Sequence, residues 1–114
     1  MSKLSRTKGR AFEQSVARML RSYGIPAARG WQSRGGSKEE SDVVTNRYTI
    51  ECKHRQQPNV LRALEQAELA LEPGKVPVAV CKWNGTADAK AVVAMRLEDW
   101  LVLVNQAAAG RDAL

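Results

Sequence analysis

The stretch "YTIECKHR", residues 48–55, decides the fold, because it begins as a half-buried β-strand and then carries an acid and a base. Side chains alternate between the two faces of a strand, so Ile50 and Cys52 point one way and Glu51 and Lys53 the other. A carboxylate and an ammonium group therefore share one face, two residues apart, beside a predicted core. The pair needs either a structural or a chemical explanation.

The positive charge of the chain is concentrated in its first half. The 114 residues carry 18 Lys and Arg against 12 Asp and Glu, a formal net charge of +6. Residues 1–62 hold thirteen basic and five acidic side chains, a net of +8, and residues 63–114 hold five and seven, a net of −2. A basic half favours a polyanionic partner such as nucleic acid, although a merely basic surface explains the charge equally well.

Several classes of protein are excluded by the sequence. No apolar run reaches the roughly 18–20 residues of a membrane span, and no charged-then-apolar segment resembles a signal peptide. Cys52 and Cys81 lie in strand-like runs and are predicted to be buried thiols, because so sparse a pair is no disulfide framework. With one histidine and no CxxC pattern, a structural zinc site is not expected. We expect a cytoplasmic protein with no membrane partner.

The first predicted helix spans residues 8–23. It is indicated by apolar residues at 3.6-residue spacing, namely Phe12, Val16, Met19, Leu20 and Tyr23. Gly24 and Pro26 end it. Glu13 falls at the edge of the apolar stripe, where a carboxylate can lean over the rim of a sheet.

The remaining elements alternate between strands and helices. Strands are predicted near 27–31, from Asp42, and at 48–53, 76–83 and 91–96, with a Gly- and Ser-rich loop at 32–41. Helices are predicted at 59–72, with a stripe of Val60, Leu64, Ala67 and Leu71, and from Leu97 to Gly110. The order α-β-β-β-α-β-β-α predicts one small α/β domain with a mixed sheet, and flexible ends at 1–7 and 110–114.

Apolar residues of the last helix suggest a core face and a second apolar surface. The stripe of Leu97, Trp100, Leu101, Val104 and Ala108 is expected to face the sheet. Val102 and Leu103 fall outside that stripe, and in the second helix Leu69 lies opposite its own stripe. Apolar side chains outside a core-facing stripe often mark an interface, although isolated exposed ones are normal.

Asp42 and Glu51 lie on consecutive strands joined by a short turn, so an antiparallel pair brings the two carboxylates together. Two adjacent carboxylates repel, and a divalent metal with oxygen ligands, most plausibly Mg²⁺, relieves that repulsion. A metal-bound water has a lowered pKa, and Lys53 beside it can orient the water or neutralise charge on a phosphate. This combination predicts phosphodiester hydrolysis. The alternative is a solvent-facing Glu51–Lys53 pair on a sheet edge, with Asp42 an ordinary turn residue.

Three motifs together resemble the PD-(D/E)xK nucleases and, within them, the archaeal-type Holliday junction resolvases. They are "KGRAFEQ" at 8–14, "GGSKEESDVV" at 35–44 and "YTIECKH" at 48–54, and "KVPVAVCKW" at 75–83 is similar to a later strand of that family. The resemblance covers roughly 8–104. Ser41 stands where the superfamily pattern has proline. The resemblance implies a restriction-endonuclease-like fold, with a central mixed β-sheet flanked by helices.

The resemblance also implies roles for individual residues. Asp42 and Glu51 are implied as metal ligands, helped by the backbone carbonyl of Cys52, with Glu13 binding the metal directly or through water and Lys53 serving the water and the transition state. Ser37 corresponds to a loop serine near the scissile strand. Phosphate contacts are expected from Ser37 and from five basic residues, namely Lys8, Arg10, Arg34, Lys38 and Arg55. His54 is expected to face solvent, and Gln66 is assigned no role.

These inferences converge on a Mg²⁺-dependent, structure-selective DNA endonuclease, a Holliday junction resolvase by resemblance, in which Mn²⁺ is expected to substitute. A nuclease or nickase for other branched DNA, and a non-catalytic basic DNA-binding module, stay open as alternatives. A four-way junction has two symmetry-related strands to cut and the chain holds one candidate site, so we expect a homodimer. The last helix is the favoured interface.

Overall fold

The fold is described by a computed structural model that covers residues 3–30 and 42–113, with the side chains of 7–30 and 42–110. Its helices are α1 (Lys3–Ser22), α2 (Val60–Leu69) and α3 (Leu97–Ala113), and its strands are β1 (Ala27–Arg29), β2 (Val43–Thr45), β3 (Tyr48–Arg55), β4 (Val76–Trp83) and β5 (Val92–Ala94). A single 3-10 turn, Asp88–Lys90, precedes β5. The predicted α/β order is confirmed.

The five strands form one mixed sheet in the order β1-β2-β3-β4-β5. Strand β3 pairs antiparallel with β2 and parallel with β4, and β5 returns antiparallel to β4. A parallel pair needs a crossover, which α2 provides between β3 and β4. The central strand is therefore β3, the strand that carries the Glu-x-Lys motif.

A helix covers each face of the sheet. On one face, Phe12, Val16 and Ala17 of α1 pack with buried strand residues that include Val43, Ile50, Cys52, Val78 and Val80. On the other face, Ala63 and Leu64 of α2 pack with Ala79 and Cys81. The apolar stripes predicted for the first two helices thus account for the two cores, because each stripe removes its apolar surface from water. Both cysteines are free thiols and buried, as predicted.

Burial was predicted wrongly for two residues of those stripes, each at the C-terminal end of its helix. Tyr23 is 84% exposed, because α1 ends at Ser22 and Gly24, with φ of +79°, turns the chain away. Leu71 is also exposed, because α2 ends at Leu69, three residues before the predicted end, and Ala70 forms its C-cap. At the other end α1 begins at Lys3, five residues earlier than predicted. The single-domain boundary and the flexible ends stay predictions.

The predicted orientation of α3 is wrong. Leu97, Trp100, Leu101 and Val104, which were expected to face the sheet, are exposed. No residue of α3 belongs to either core cluster, and α3 packs extensively against no other element that the structure describes. The helix is joined to the turn between β2 and β3 by a hydrogen bond of 2.7 Å from Arg47 Nη2 to Gln106 Oε1. Its apolar surface is therefore left exposed.

Candidate active site

The face of β3 that carries Glu51 and Lys53 is enclosed. Ile50 and Cys52 point into the α1 core, as the alternation predicts, and the opposite face holds Thr49, which is almost completely buried. The side chains of Glu51 and Lys53 are only 13% and 21% exposed. Since β3 is also the central strand, the alternative of a solvent-facing pair on a sheet edge does not hold.

Asp42 stands beside Glu51 because of the β2–β3 register. Val43 pairs with Ile50 and Val44 with Thr49, so continuing the ladder by one residue sets Asp42 opposite Glu51. The backbone N–H of Cys52 donates a hydrogen bond of 2.9 Å to Asp42 Oδ2, which fixes this carboxylate against β3. The two carboxylates therefore meet at one end of the hairpin.

The electrostatics at Glu51 reflect this crowding. The pKa of Glu51 is raised from 4.5 to about 8, chiefly by burial and then by the charge of Asp42 and a hydrogen bond to it. The charge of Glu13 contributes a smaller effect in the same direction, so the helix carboxylate also acts on Glu51. Burial and the neighbouring carboxylates thus favour the protonated form of Glu51 when no cation is bound.

Glu13 is delivered by α1 from the rim of the sheet. Its Oε1 accepts a hydrogen bond of 3.2 Å from Nη2 of Arg29, on β1, and both side chains are mostly buried. Arg29 was not identified from the sequence, in which it is one of several basic residues. Its proximity to Glu13 depends on how the edge strand packs under α1.

Lys53 supplies the positive charge nearest to Glu51. Its Nζ lies 3.7 Å from Glu51 Oε1, and its charge lowers the pKa of Glu51 against the larger opposing effects. This distance is longer than that of a charge-assisted hydrogen bond. The ammonium group is therefore close enough to act on a group bound between itself and the carboxylates.

The donor set suits a hard divalent cation, although the ligands are not yet assembled around one point. No group of three His, Cys, Asp or Glu within residues 3–30 and 42–113 is arranged to hold a metal ion. The chemistry fits nonetheless, because Mg²⁺ takes carboxylate oxygens and keeps several waters, so two or three carboxylates suffice. A bound cation would also oppose the repulsion that raises the pKa of Glu51.

Cys52 contributes through its backbone. Burial and the nearby carboxylates of Asp42 and Glu13 raise the pKa of its thiol well above the usual value, so the thiol stays protonated and unreactive. Its amide is occupied by Asp42. The role predicted for its carbonyl as a metal ligand stays a prediction.

The predicted phosphate-contact residues are spread around this centre. Arg10 and Arg55 are exposed, and Lys8 Nζ donates a hydrogen bond of 2.9 Å to Asn84 Oδ1. Arg34, Ser37 and Lys38 lie outside the described residues. His54 does not face solvent as expected: it is half-buried, and its ring meets Phe12 edge-on at 5.8 Å between centroids.

A basic pocket beside Lys53 was missed by the sequence reasoning. It is lined by Lys53 and Arg55 from β3 and by Asn59, Arg62, Ala63 and Gln66 around the start of α2. Asn59 before a helix is a recognisable N-cap, and its Oδ1 accepts a hydrogen bond of 3.0 Å from the Arg62 N–H. That signal predicts where α2 begins, but the convergence with β3 requires the crossover.

Within the described chain, no helix is long and apolar enough to span a membrane. No curated protein is detectably similar to the chain. One protein-family model matches residues 4–111, a range slightly wider than the resemblance found in the motifs, and its description is archaeal Holliday junction resolvase (Hjc). With the mixed sheet flanked by helices and the Glu-x-Lys motif on its central strand, this match shows that the chain belongs to the archaeal Holliday junction resolvase family.

Proposed function

We propose that this protein is a Mg²⁺-dependent, structure-selective endonuclease that resolves four-way DNA junctions. Membership of the resolvase family implies a nuclease of DNA recombination and repair. The observation that carries the proposal is the meeting of Asp42 and Glu51, with Lys53 3.7 Å from Glu51, on the enclosed central strand. A buried acid whose pKa is raised to about 8 is costly for a protein to keep unless the site uses it.

The chain's own residues divide the work in this proposal. Asp42 and Glu51 hold the metal through carboxylate oxygens, with the Cys52 carbonyl beside them, and Glu13 completes the set directly or through water. When bound, Mg²⁺ supplies a water of lowered pKa and stabilises charge on the phosphate, and Mn²⁺ is expected to substitute. Lys53 orients the attacking water and neutralises charge that develops on the phosphoryl oxygens. Lys8, Arg10 and Arg55 contact neighbouring phosphates, as do Arg34, Ser37 and Lys38.

Replacing Asp42 with Asn, or Glu51 with Gln, tests the assignment of the metal site. We expect either variant to lose cleavage of a four-way junction, and Lys53→Ala to do the same. Junction binding should be retained or become tighter, because Asp42→Asn removes a negative charge that repels phosphate and Glu51→Gln adds none. Cleavage is followed by denaturing gel, and binding by fluorescence anisotropy in EDTA.

The matched control is Glu65→Gln, the same acid-to-amide change at an exposed position of α2. It should cut at the wild-type rate. Near wild-type cleavage by Asp42→Asn or Glu51→Gln would refute the metal-site assignment. Wild-type protein that binds the junction but never cuts it in Mg²⁺ would instead favour a non-catalytic DNA-binding module.

We also propose that the functional unit is a homodimer. A four-way junction presents two equivalent strands, and a two-fold dimer presents two equivalent sites. The exposed apolar side chains of α3, which include Trp100, Leu101 and Val102, offer a surface that a second copy can cover. In a homodimer the same surface serves both partners, so one apolar helix is sufficient.

A further inference from the structure

We propose that the basic pocket at the start of α2 binds one phosphate of the DNA backbone, adjacent to the phosphate that is cut. The inference rests on the proposed nuclease function and adds to it a phosphate site built from Arg55, Asn59 and Arg62, next to Lys53. The ligand is a phosphodiester, recognised by charge and hydrogen bonds and not by base sequence.

The lining of the pocket is cationic, and two of its three cations have no acidic partner in the described part of the chain. Lys53, Arg55 and Arg62 bring three positive charges to a cavity of about 170 Å³. No carboxylate in the described part of the chain lies within ion-pair distance of Arg55 or Arg62. Elsewhere the protein pairs comparable cations, as in Arg96 with Glu68 and Lys82 with Asp88. An anion is the complement that the pocket lacks.

The neutral groups of the pocket are polar and partly unused. Asn59 commits its side-chain oxygen to capping α2, which leaves its NH₂ group as a donor. Gln66 Oε1 is buried and has no hydrogen-bond partner in the described chain. Burying an unpaired amide oxygen costs free energy, and a half-turn of the amide would present its NH₂ group instead. A phosphate oxygen would accept a hydrogen bond from the NH₂ group of the turned amide, and a phosphate-bound water would donate one to Oε1 in the present orientation.

The position of the pocket defines which phosphate it takes. Lys53 lines the pocket and also lies 3.7 Å from Glu51, so the cavity and the carboxylates share one side chain. When the scissile phosphate of a DNA strand lies at Glu51, a flanking phosphate of the same DNA strand therefore lies at the pocket. Holding that neighbour fixes the register of the reacting phosphate, so Arg62 acts as a positioning residue.

The first test is the salt dependence of junction binding. Arg62→Gln should weaken binding by about tenfold and reduce the slope of log affinity against log salt by about 0.9, the value of one lost phosphate contact. Asn59→Asp should weaken binding too, since aspartate still caps the helix but brings a negative charge to the pocket. The control is Arg18→Gln, an exposed position on α1, which covers the opposite face of the sheet.

The second test identifies the phosphate. Each phosphate flanking the cut is replaced in turn by an uncharged methylphosphonate, and binding is measured with wild type, Arg62→Gln and Arg18→Gln. One replacement should weaken binding by wild type and Arg18→Gln more than binding by Arg62→Gln, because part of the contact with that phosphate is already lost in Arg62→Gln. If the affinity losses from methylphosphonate and from Arg62→Gln multiplied at every phosphate position, the proposed phosphate site would be wrong. An unchanged salt slope in Arg62→Gln would also refute it.

Failure of the nuclease proposal would look different in the same experiments. If the protein were no junction nuclease, wild type would leave the junction uncut in Mg²⁺ before any variant is compared. If the pocket alone were wrong, wild type would cut normally and Arg62→Gln would bind and cut like Arg18→Gln. The two hypotheses are therefore separated by the behaviour of the wild-type protein.

Discussion

Among single residues, Glu51 has the environment on which the proposed metal site depends most. Its carboxyl group is enclosed on the central strand, with Asp42 opposite it and Glu13 nearby, and these causes raise its pKa to about 8. Lys53 opposes the shift without cancelling it. The site is therefore built at a cost to stability, which a bound cation is expected to recover.

That cost predicts a pH dependence for the metal-free protein. The pKa of Glu51 is higher in the folded state than the 4.5 of an ordinary Glu, so the folded state binds more protons and stability falls as pH rises from about 4.5 to 8. At about 1.4 kcal/mol per pH unit, the loss of unfolding free energy is at most about 5 kcal/mol. Urea unfolding in EDTA between pH 4.5 and 8.5 measures it.

Two variants test whether Glu51 causes this pH dependence of stability. Glu51→Gln should flatten the profile and be more stable than wild type at pH 8, whereas the exposed Glu65→Gln should retain the wild-type slope. Addition of Mg²⁺ should stabilise wild type at pH 8 more than Glu51→Gln. A wild-type stability that does not change across this range would contradict the environment assigned to Glu51.

The sequence predicted which residues meet in the site but not all of their partners. Alternation along β3 places Glu51 and Lys53 on one face, and a two-residue turn brings Asp42 opposite, so both follow from local rules. The contact of Arg29 with Glu13, and the pocket that Arg62 and Lys53 line together, depend on tertiary packing. Neither relation leaves a periodic signal in the sequence.

At the scale of helices and strands, predictions succeeded where one face of an element is apolar. The bounds of β4, residues 76–83, were predicted correctly, and Phe12 and Val16 of α1 and Leu64 and Ala67 of α2 are buried as expected. The α3 prediction failed because its apolar residues lie all around the helix, so a helical wheel cannot select one core face. What was assigned to the core is exposed surface.

The exposed surface of α3 predicts how the protein dimerises. Light scattering at micromolar concentration should report about twice the 12.6 kDa chain mass for wild type. Val102→Glu should shift the mass towards that of one chain, because a buried unpaired charge is costly at an interface. Leu69→Glu, at an even more exposed apolar position on α2, is the comparison and should remain dimeric.

The two variants also distinguish which helix forms the contact. A dimer that survives Val102→Glu but dissociates with Leu69→Glu would move the interface to α2. A wild-type protein that is monomeric yet makes paired, symmetric cuts would refute the homodimer. Far-UV circular dichroism checks that both variants remain folded.

At the scale of the whole molecule, the uneven charge of the chain agrees with the fold. Residues 1–62, with a net charge of +8, contain the carboxylates Glu13, Asp42 and Glu51 and the three basic residues of the pocket. Residues 63–114, with a net charge of −2, provide β4, β5 and the apolar α3. The basic half thus supplies the residues proposed to contact DNA, and the other half supplies the apolar helix proposed to contact a second copy of the chain.

Cleavage of a labelled four-way junction beside a linear duplex of matched sequence, each with Mg²⁺ and with EDTA, tests whether the protein is a metal-dependent junction resolvase. Paired, symmetric nicks near the branch point are expected in the junction alone, only with Mg²⁺, and none with Asp42→Asn. Equal cutting of junction and duplex would contradict structure selectivity, and cutting that persists in EDTA would contradict the metal site.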